Sequence, residues 1–454
     1  MIKQVANYDL SSRNTFRMNV RCALYVEVTQ EEDLAALDFE SLPQPVMVMG
    51  GGSNLLFTKD FPGTVLHVGI ISALDQVQGI FGPGPISSAG PGPGSVPQEY
   101  VEATCGGPGP RGKMGPRPNC GWTRSNNDLC VTIGAGTVFD QFCEWAAAEG
   151  LWGPENLSLI PGECGASAVQ NIGAYGVEAK DIIADIRAWD RVAKQFVNID
   201  PSTCAYGYRT SKFKTEWKGR YIITAVTYRL SREPQPKLDY GGLRKALEKN
   251  GVDQVQGIFG RGLISGAGPG PGSVAQNSVI GTVGGPGPGG KMGPCPNSGW
   301  TRSKEGVGKE ASSEEGHTLT PQIIRQTIID IRNSKLPDPA VTGSAGSFFC
   351  NPVISREHFN KIVETARQDN GPDYQVPHYE MGDSIKVPAA WMIEQCGFKG
   401  RRLGGAQVYQ NQPLVIVNAS GSASPEEIIG LENEVIKAIE EKYGITLHPE
   451  VEHI

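Results

Sequence analysis

The sequence has no C-x-x-C pair, six isolated histidines, and no apolar run approaching the roughly 18 residues of a membrane span. Its ten cysteines, among them Cys22, Cys143, Cys164, Cys204, Cys350 and Cys396, are scattered through strands, helices and loops alike. That is neither a secreted disulfide framework nor a zinc site. A basic stripe is also missing: net charge is −7 and the lysines and arginines are dispersed, which excludes a nucleic-acid footprint. The opening MIKQVANYDL is polar and unlike a signal peptide. Together these shortages lead us to expect a cytoplasmic protein without metal, membrane or nucleic-acid partner, in which any anionic ligand is held by a local pocket.

Glycine and proline, by contrast, are plentiful: 59 and 33 of 454 residues. The excess is local. Residues 75–125 (DQVQGIFGPGPISSAGPGPGSV…) recur without a gap at 253–303 (DQVQGIFGRGLISGAGPGPGSV…), with roughly three-quarters of positions the same. Proline blocks helix and ladder hydrogen bonds, and glycine raises the cost of ordering. Both copies therefore read as exposed, irregular inserts.

The remainder alternates α and β signals. Pro45–Met49 reads as a buried strand, Thr64–Val68 as another, and Val131–Ile133 as a third. Thr137 is placed to cap a helix that carries Phe139, Phe142, Trp145 and Ala146 at helical spacing. Arg220–Arg229 is β-rich, and LRKALEKNG is a helix. Thr320-Pro321 is an N-cap followed by proline at the first helical position, and Pro425–Lys442 is a long amphipathic helix.

Two glycine-rich segments carry candidate chemistry. Gly50–Leu56, GGGSNLL, follows an apolar strand. Its open N–H groups, with Ser53 and Asn54, suit a pyrophosphate, although a plain strand-to-loop turn has the same composition and G-x-G-x-x-G spacing is lacking. Ile160–Gly176, IPGECGASAVQNIGAYG, has four glycines and the polar pair Gln170-Asn171. Such a stretch lets backbone pass close to a large planar ligand, or forms a surface loop.

With Asn14-Thr15-Phe16, YGYRTSKFK (206–214), Asp239-Tyr240-Gly241, KLPDP (335–339), GSAGSFFCNP (343–352) and LHPEVEHI (447–454), these segments resemble the UDP-N-acetylenolpyruvoylglucosamine reductase family, in order and over nearly the whole chain outside the repeats. The resemblance implies an α+β fold: a two-part FAD-binding module of the vanillyl-alcohol-oxidase-like flavoprotein class plus a C-terminal α+β substrate-binding domain. The expected boundaries are 1–68 for the first FAD subdomain, and 69–334 for the second. The second carries the inserts at about 72–127 and 253–312 and receives the tail 444–454. The substrate domain is 335–443.

The implied activity is NADPH-dependent reduction of UDP-N-acetylglucosamine enolpyruvate to UDP-N-acetylmuramate through FAD, by a monomer, in peptidoglycan precursor synthesis. FAD would be held by Asn14, Thr15, Gly50, Gly51, Gly52, Ser53, Asn54 and Leu55, and by Pro161, Gly162, Gly165, Ala166, Ser167, Gln170, Asn171, Gly173, Ala174, Tyr175 and Gly176. Ser347 matches the family's proton donor, Glu450 the acid that polarises the substrate carboxylate, and Arg209 a group gripping that carboxylate. Lys335 matches the partner of the diphosphate, Asn351 and Gln412 match positions that hydrogen-bond the nucleotide part, and Tyr208 matches a substrate-contacting tyrosine. Tyr240 places the chain in the type with a mobile tyrosine loop. The repeats and the short tail after Glu450 depart from the family pattern. Rival readings are another FAD oxidoreductase of the same fold class, or an inactive paralogue whose inserts bind a partner.

Overall fold

The computed structural model describes residues 2–72, 74, 128–240, 242–250 and 318–454. The two repeats lie outside the described residues.

The first sheet is built from β1 (Lys3–Asp9), β2 (Arg21–Val28), β3 (Val46–Met49) and β5 (Phe61–Val68), in the order β1-β2-β5-β3; β4 (Leu55–Leu56) stands apart from it. Strands β2 and β3 run parallel to β5, while β1 is antiparallel to β2. Parallel strands are usually covered on both faces, and that is how this sheet is used. Tyr25, Cys22 and Val65 point into one core with Phe348, Phe349 and Met392. Their neighbours Val26, Val28 and Leu66 point into a second core with Phe142, Trp145 and Tyr228. The two-residue side-chain period thus makes this sheet the wall between both cores. Strand β3 is less enclosed than its apolar sequence suggests: Val48 is 41% exposed, because β3 is the edge of the sheet.

The second core is roofed by an antiparallel sheet of β6 (Asp128–Gly134), β9 (Ile183–Asp190), β10 (Gln195–Ile199) and β11 (Tyr221–Ser231), in the order β10-β9-β11-β6. The short pair β7 (Gly173–Ala174) and β8 (Val177–Glu178) lies between β6 and β9 in sequence. Helix α1 (Glu31–Ala36) follows β2, α2 (Phe139–Ala148) follows β6, and α3 (Cys164–Gln170) lies in the glycine-rich segment. Thr137 does not cap α2. Val138 occupies that position without a side-chain cap bond, and the Thr137 hydroxyl accepts the N–H of Ser72 at 3.0 Å, fastening the chain leaving β5.

After α4 (Leu243–Lys249), helix α5 (Pro321–Lys335) opens as its sequence predicts: Thr320 caps it, accepting Ile323 N–H at 3.3 Å, with proline in the first turn. The C-terminal part packs α6 (Arg356–Asn370), α7 (Ala389–Gln395) and α8 (Pro425–Tyr443) with two small sheets. One joins β12 (Gly343–Ser344), β16 (Arg402–Leu403), β17 (Ala406–Val408) and β18 (Ile416–Asn418). The other has the order β13-β15-β14, from Val353–Ser355, Ser384–Lys386 and Tyr379–Met381. Helix α8 begins with a capping box between Ser424 and Glu427.

The chain then returns. Strand β19 (Glu452–His453) pairs parallel with β4, and Thr58 N–H donates to Ile454 O at 2.9 Å. The tail strand thus lies against the expected first subdomain, beside the Gly50–Asn54 turn, where β4 offers a free strand edge, while Glu450 in the same tail reaches Arg209 of the expected second.

Candidate active site

The return of the tail brings Glu450 to the second subdomain. Asn54 Nδ2 donates to Glu450 O at 3.1 Å, and Glu450 N–H donates to Phe348 O at 2.8 Å. The Glu450 carboxylate lies 3.1 Å from Arg209 Nε. That contact is an ion pair by proximity; the Nε–H is enclosed but off the hydrogen-bond line. The directed bond of the guanidinium runs from Nη2 to Gly173 O at 2.7 Å. Arg209 has φ +55°, a left-handed conformation that costs a non-glycine residue roughly 1–2 kcal/mol. Gln170 Nε2 stands 3.5 Å from Glu450 Oε1, and Lys214 Nζ donates to Gln170 Oε1 at 2.6 Å. Arg209 beside the carboxylate and Lys214 behind Gln170 thus set two cations in the neighbourhood of one carboxylate, leaving a net positive charge that suits a substrate carboxylate.

Ser347 follows Gly346, whose φ of +73° turns the chain, and precedes Phe348, the residue that accepts Glu450 N–H. Among the described residues the Ser347 hydroxyl has no hydrogen-bond partner.

A second group forms on the C-terminal part. Tyr240 and Tyr379 stack at 5.4 Å, and Lys386 Nζ lies 5.2, 5.4 and 5.9 Å from the ring centres of Tyr208, Tyr379 and Tyr240. Burial pulls the Lys386 ammonium down, opposed by Glu178 and assisted by Arg209. Burial pushes Tyr240 up to about 12, with Tyr379 and Tyr208 adding to it. Asn351 Nδ2 lies 3.5 Å from the Tyr208 hydroxyl, and Asn351 Oδ1 accepts Ala389 N–H at 2.9 Å. Gly176, at φ +81°, faces Tyr240.

The glycine turns face one another. A Cβ on Gly51 would stand 3.7 Å from Gly162 Cα, a Cβ on Gly50 would stand 3.1 Å from Glu163 Oε2, and one on Gly52 would overlap the Arg13 carbonyl. Ser53 Oγ donates to Pro161 O at 3.1 Å. Ser53 and Asn54 therefore stitch the turns and the tail together with their side chains, instead of standing as free donors.

Three other expected cofactor residues also turn inward. Asn14 clips its own loop through Leu10 O, Met18 O and Met18 N–H. Ser167 bonds Cys164 O and the Tyr228 hydroxyl. Asn171 bonds Glu178, Gly207 O and Lys180 N–H. Their side chains shape the cradle. Thr15 N–H donates to Gly52 O at 3.2 Å, and its carbonyl accepts Ser344 N–H at 2.9 Å, joining the first turn to the Ser347 segment. Leu55 begins β4 opposite Glu452, Gly165 N–H donates to Ala135 O, and the Tyr175 carbonyl accepts Asn156 Nδ2. Ala166 approaches the first turn at Gly50, and Ala174 lies in the short β7.

Lys335 and Gln412 stay apart from these groups. Lys335 ends α5 exposed, and among the described residues it has no ion-pair partner. The Gln412 side chain folds back toward Leu414 N–H at 3.4 Å. One turn before Lys335, Arg332 is the enclosed cation. Its Nη2 donates to Leu159 O at 3.2 Å, two residues before Pro161, while its Nε is shielded without a protein partner. Burial lowers its pKa, against the influence of Tyr175 and Asp140. The fit to FAD therefore rests on facing turns with glycines at their close approaches and an enclosed, incompletely bonded guanidinium beside them, which suits a dinucleotide diphosphate. Sequence reasoning missed Arg332, Lys214, Lys386 and Tyr379. Arg332 was signalled by its i−3 spacing from Lys335, and Lys214 by its place in YGYRTSKFK; Lys386 and Tyr379 carry no local signal.

A two-part α+β cradle with a cation–carboxylate pair at its edge defines an FAD-dependent oxidoreductase. Residues 123–195 match the FAD binding domain family, and residues 338–454 match the C-terminal domain of UDP-N-acetylenolpyruvoylglucosamine reductase. The UDP-N-acetylenolpyruvoylglucosamine reductase of Bacteroides fragilis is 34% identical over 449 residues, covering 98% of this chain and 99% of that protein. The protein of that name from Porphyromonas gingivalis is 34% identical over 451 residues, covering 99% and 98%. The chain belongs to the UDP-N-acetylenolpyruvoylglucosamine reductase family. The crystal structure of the Thermus caldophilus UDP-N-acetylenolpyruvylglucosamine reductase shares the fold, with a TM-score of 0.51 at 16% identity, covering 100% of this chain and 98% of that one.

Proposed function

We propose that this chain reduces UDP-N-acetylglucosamine enolpyruvate to UDP-N-acetylmuramate with NADPH, and that Ser347, Glu450 and Arg209 do the work at the enolpyruvyl group. FAD, held by the two glycine turns with Arg332 beside them, would supply the hydride chemistry between NADPH and C3 of the vinyl ether. Negative charge then builds at C2, conjugated with the substrate carboxylate, and a proton must reach C2. Arg209, aimed by Glu450 and Gly173, and Lys214 behind Gln170 stabilise that charge. Glu450 polarises the carboxylate. Ser347 delivers the proton from a hydroxyl with no described partner.

Tyr208, Tyr240, Asn351, Lys335 and Gln412 hold the UDP-sugar, and Lys386 amid three tyrosines adds a cation for the diphosphate. The expected division at 68/69 and 334/335 fits this reading. So does the expected monomeric, cytoplasmic enzyme without membrane or nucleic-acid partner, the net charge of −7 speaking against the last of these.

The observation that carries the proposal is the Arg209–Glu450 pair, formed by residues 241 positions apart (450 − 209) and flanked by both glycine turns. The test is anaerobic: the protein reduced with one equivalent of NADPH is mixed with the enolpyruvate substrate. Reappearance of oxidised-flavin absorbance with formation of UDP-N-acetylmuramate supports the reading; a reduced flavin indifferent to substrate refutes it.

A further inference from the structure

His67 is a buried titratable group with no part in the chemistry above. It stands on β5 with a side chain 8% exposed. Its Nδ1 lies 3.1 Å from Glu27 Oε1 on β2, and its Nε2 lies 3.0 Å from Glu163 Oε1 in the second glycine turn. Ionised carboxylates only accept hydrogen bonds, and a neutral imidazole has one N–H to give. Both contacts are satisfied together only by the imidazolium.

The two carboxylates are not equivalent. Glu27 also has Arg13 at 3.8 Å and Lys3 at 3.5 Å. Among the described residues, His67 is the one ion-pair partner of Glu163. The other Glu163 oxygen lies 3.1 Å from the place a Gly50 Cβ would take. Glu163 therefore sets a carboxylate against the turn, where an uncompensated negative charge repels a diphosphate.

We propose that His67, as a cation bridging Glu27 and Glu163, is a positioning residue that cancels the charge of Glu163 at the cradle, so that FAD is held more weakly once the ring loses its proton. The inference rests on the assignment of Gly50–Asn54 and Pro161–Gly176 as the FAD cradle. The other groups facing the ring are Tyr25, stacked at 6.4 Å, and Arg13, whose guanidinium lies 5.3 Å from the Tyr25 ring centre. Burial and Arg13 oppose the charged ring, but the hydrogen bond and charge of Glu163 and the hydrogen bond of Glu27 outweigh them, so the pKa of His67 is raised. A raised pKa gives a contribution that is complete below the ordinary value of about 6.5 and is lost as pH rises through the folded value.

The test titrates FAD into the deflavinated full chain from pH 6 to 9, reading flavin fluorescence with no substrate or NADPH present. The wild-type Kd should be flat at low pH and then rise, by at most about tenfold per pH unit as one proton is lost. His67→Gln should bind FAD about tenfold more weakly and lose the slope. Glu163→Gln placed in that background should bring Kd back to within about threefold of wild type, because it removes the uncompensated charge. Should His67→Gln fail to fold, NMR titration of His67 in the wild-type apoprotein decides, with a pKa above about 6.5 expected. A wild-type Kd without slope, a double variant no better than His67→Gln, or an unraised His67 pKa overturns the proposal. Gly51→Val separates the premise: it should abolish FAD binding, and an unchanged Kd there refutes the cradle itself.

Discussion

Replacing Arg209 by methionine removes the one guanidinium that bridges the Gly173 carbonyl and the Glu450 carboxylate. Glu450, only 11% exposed, would keep Gln170 at 3.5 Å and Lys214 beyond it, but no adjacent cation. A charge-assisted hydrogen bond contributes about 1.5–3 kcal/mol, and Arg209 and methionine suffer the same left-handed strain at φ +55°. Stability should therefore fall by about 2–3 kcal/mol, read as a lower denaturation midpoint. The kinetic effect should be selective. Loss of one preorganised donor to a developing anion typically costs about 10²–10³ in rate, and that anion exists only after hydride reaches the substrate. Stopped-flow absorbance at the flavin band should show NADPH reduction within about threefold of wild type and reoxidation by substrate slowed by about 10²–10³. Because Arg209 and Glu450 form one pair, adding Glu450→Gln should cost less than the two single effects summed. Equal slowing of both half-reactions, or full additivity, would refute the placement of this pair at the substrate carboxylate.

Ser347→Ala should spare flavin reduction and slow reoxidation by about 10²–10⁴, with little change in substrate affinity; a shift confined to KM would make Ser347 a binding residue. Lys386→Met should raise the KM for the UDP-sugar by about tenfold or more while leaving FAD affinity unchanged, since its ammonium faces Tyr208, Tyr240 and Tyr379 and not the glycine turns. Asn171→Ala should destabilise the fold by about 2–3 kcal/mol and weaken FAD retention, because a fully buried amide at φ +47° loses bonds to Glu178, Gly207 and Lys180; a wild-type melting profile would show that the cradle does not depend on it.

Local information sufficed wherever a few adjacent residues set the outcome. The Thr320-Pro321 start of α5, the long helix from Pro425 and the central strand around Arg220–Arg229 follow from capping groups, proline placement and β-branched runs, all short-range effects. The glycine turns were legible for the same reason, since steric freedom belongs to the residue itself. Thr137 was misjudged as a cap because its hydroxyl is claimed by Ser72, a neighbour brought in only by the return of β6 to β5.

Everything that required two distant segments to meet was decided by tertiary structure. Glu450 reaches Arg209 because β19 finds the free edge of β4, and nothing near residue 450 encodes that edge. Lys386 meets Tyr208 and Tyr240 only because the β13-β15-β14 sheet carries it there. Asn14, Ser167 and Asn171 look like ligand donors in sequence, yet burial obliges their polar atoms to bond neighbouring protein groups. Family, cofactor and the residue types able to act were all legible in the order of amino acids. Packing decided which of them face one another, because hydrogen-bond partners and screened charges are properties of the space around a side chain and not of its neighbours in the chain.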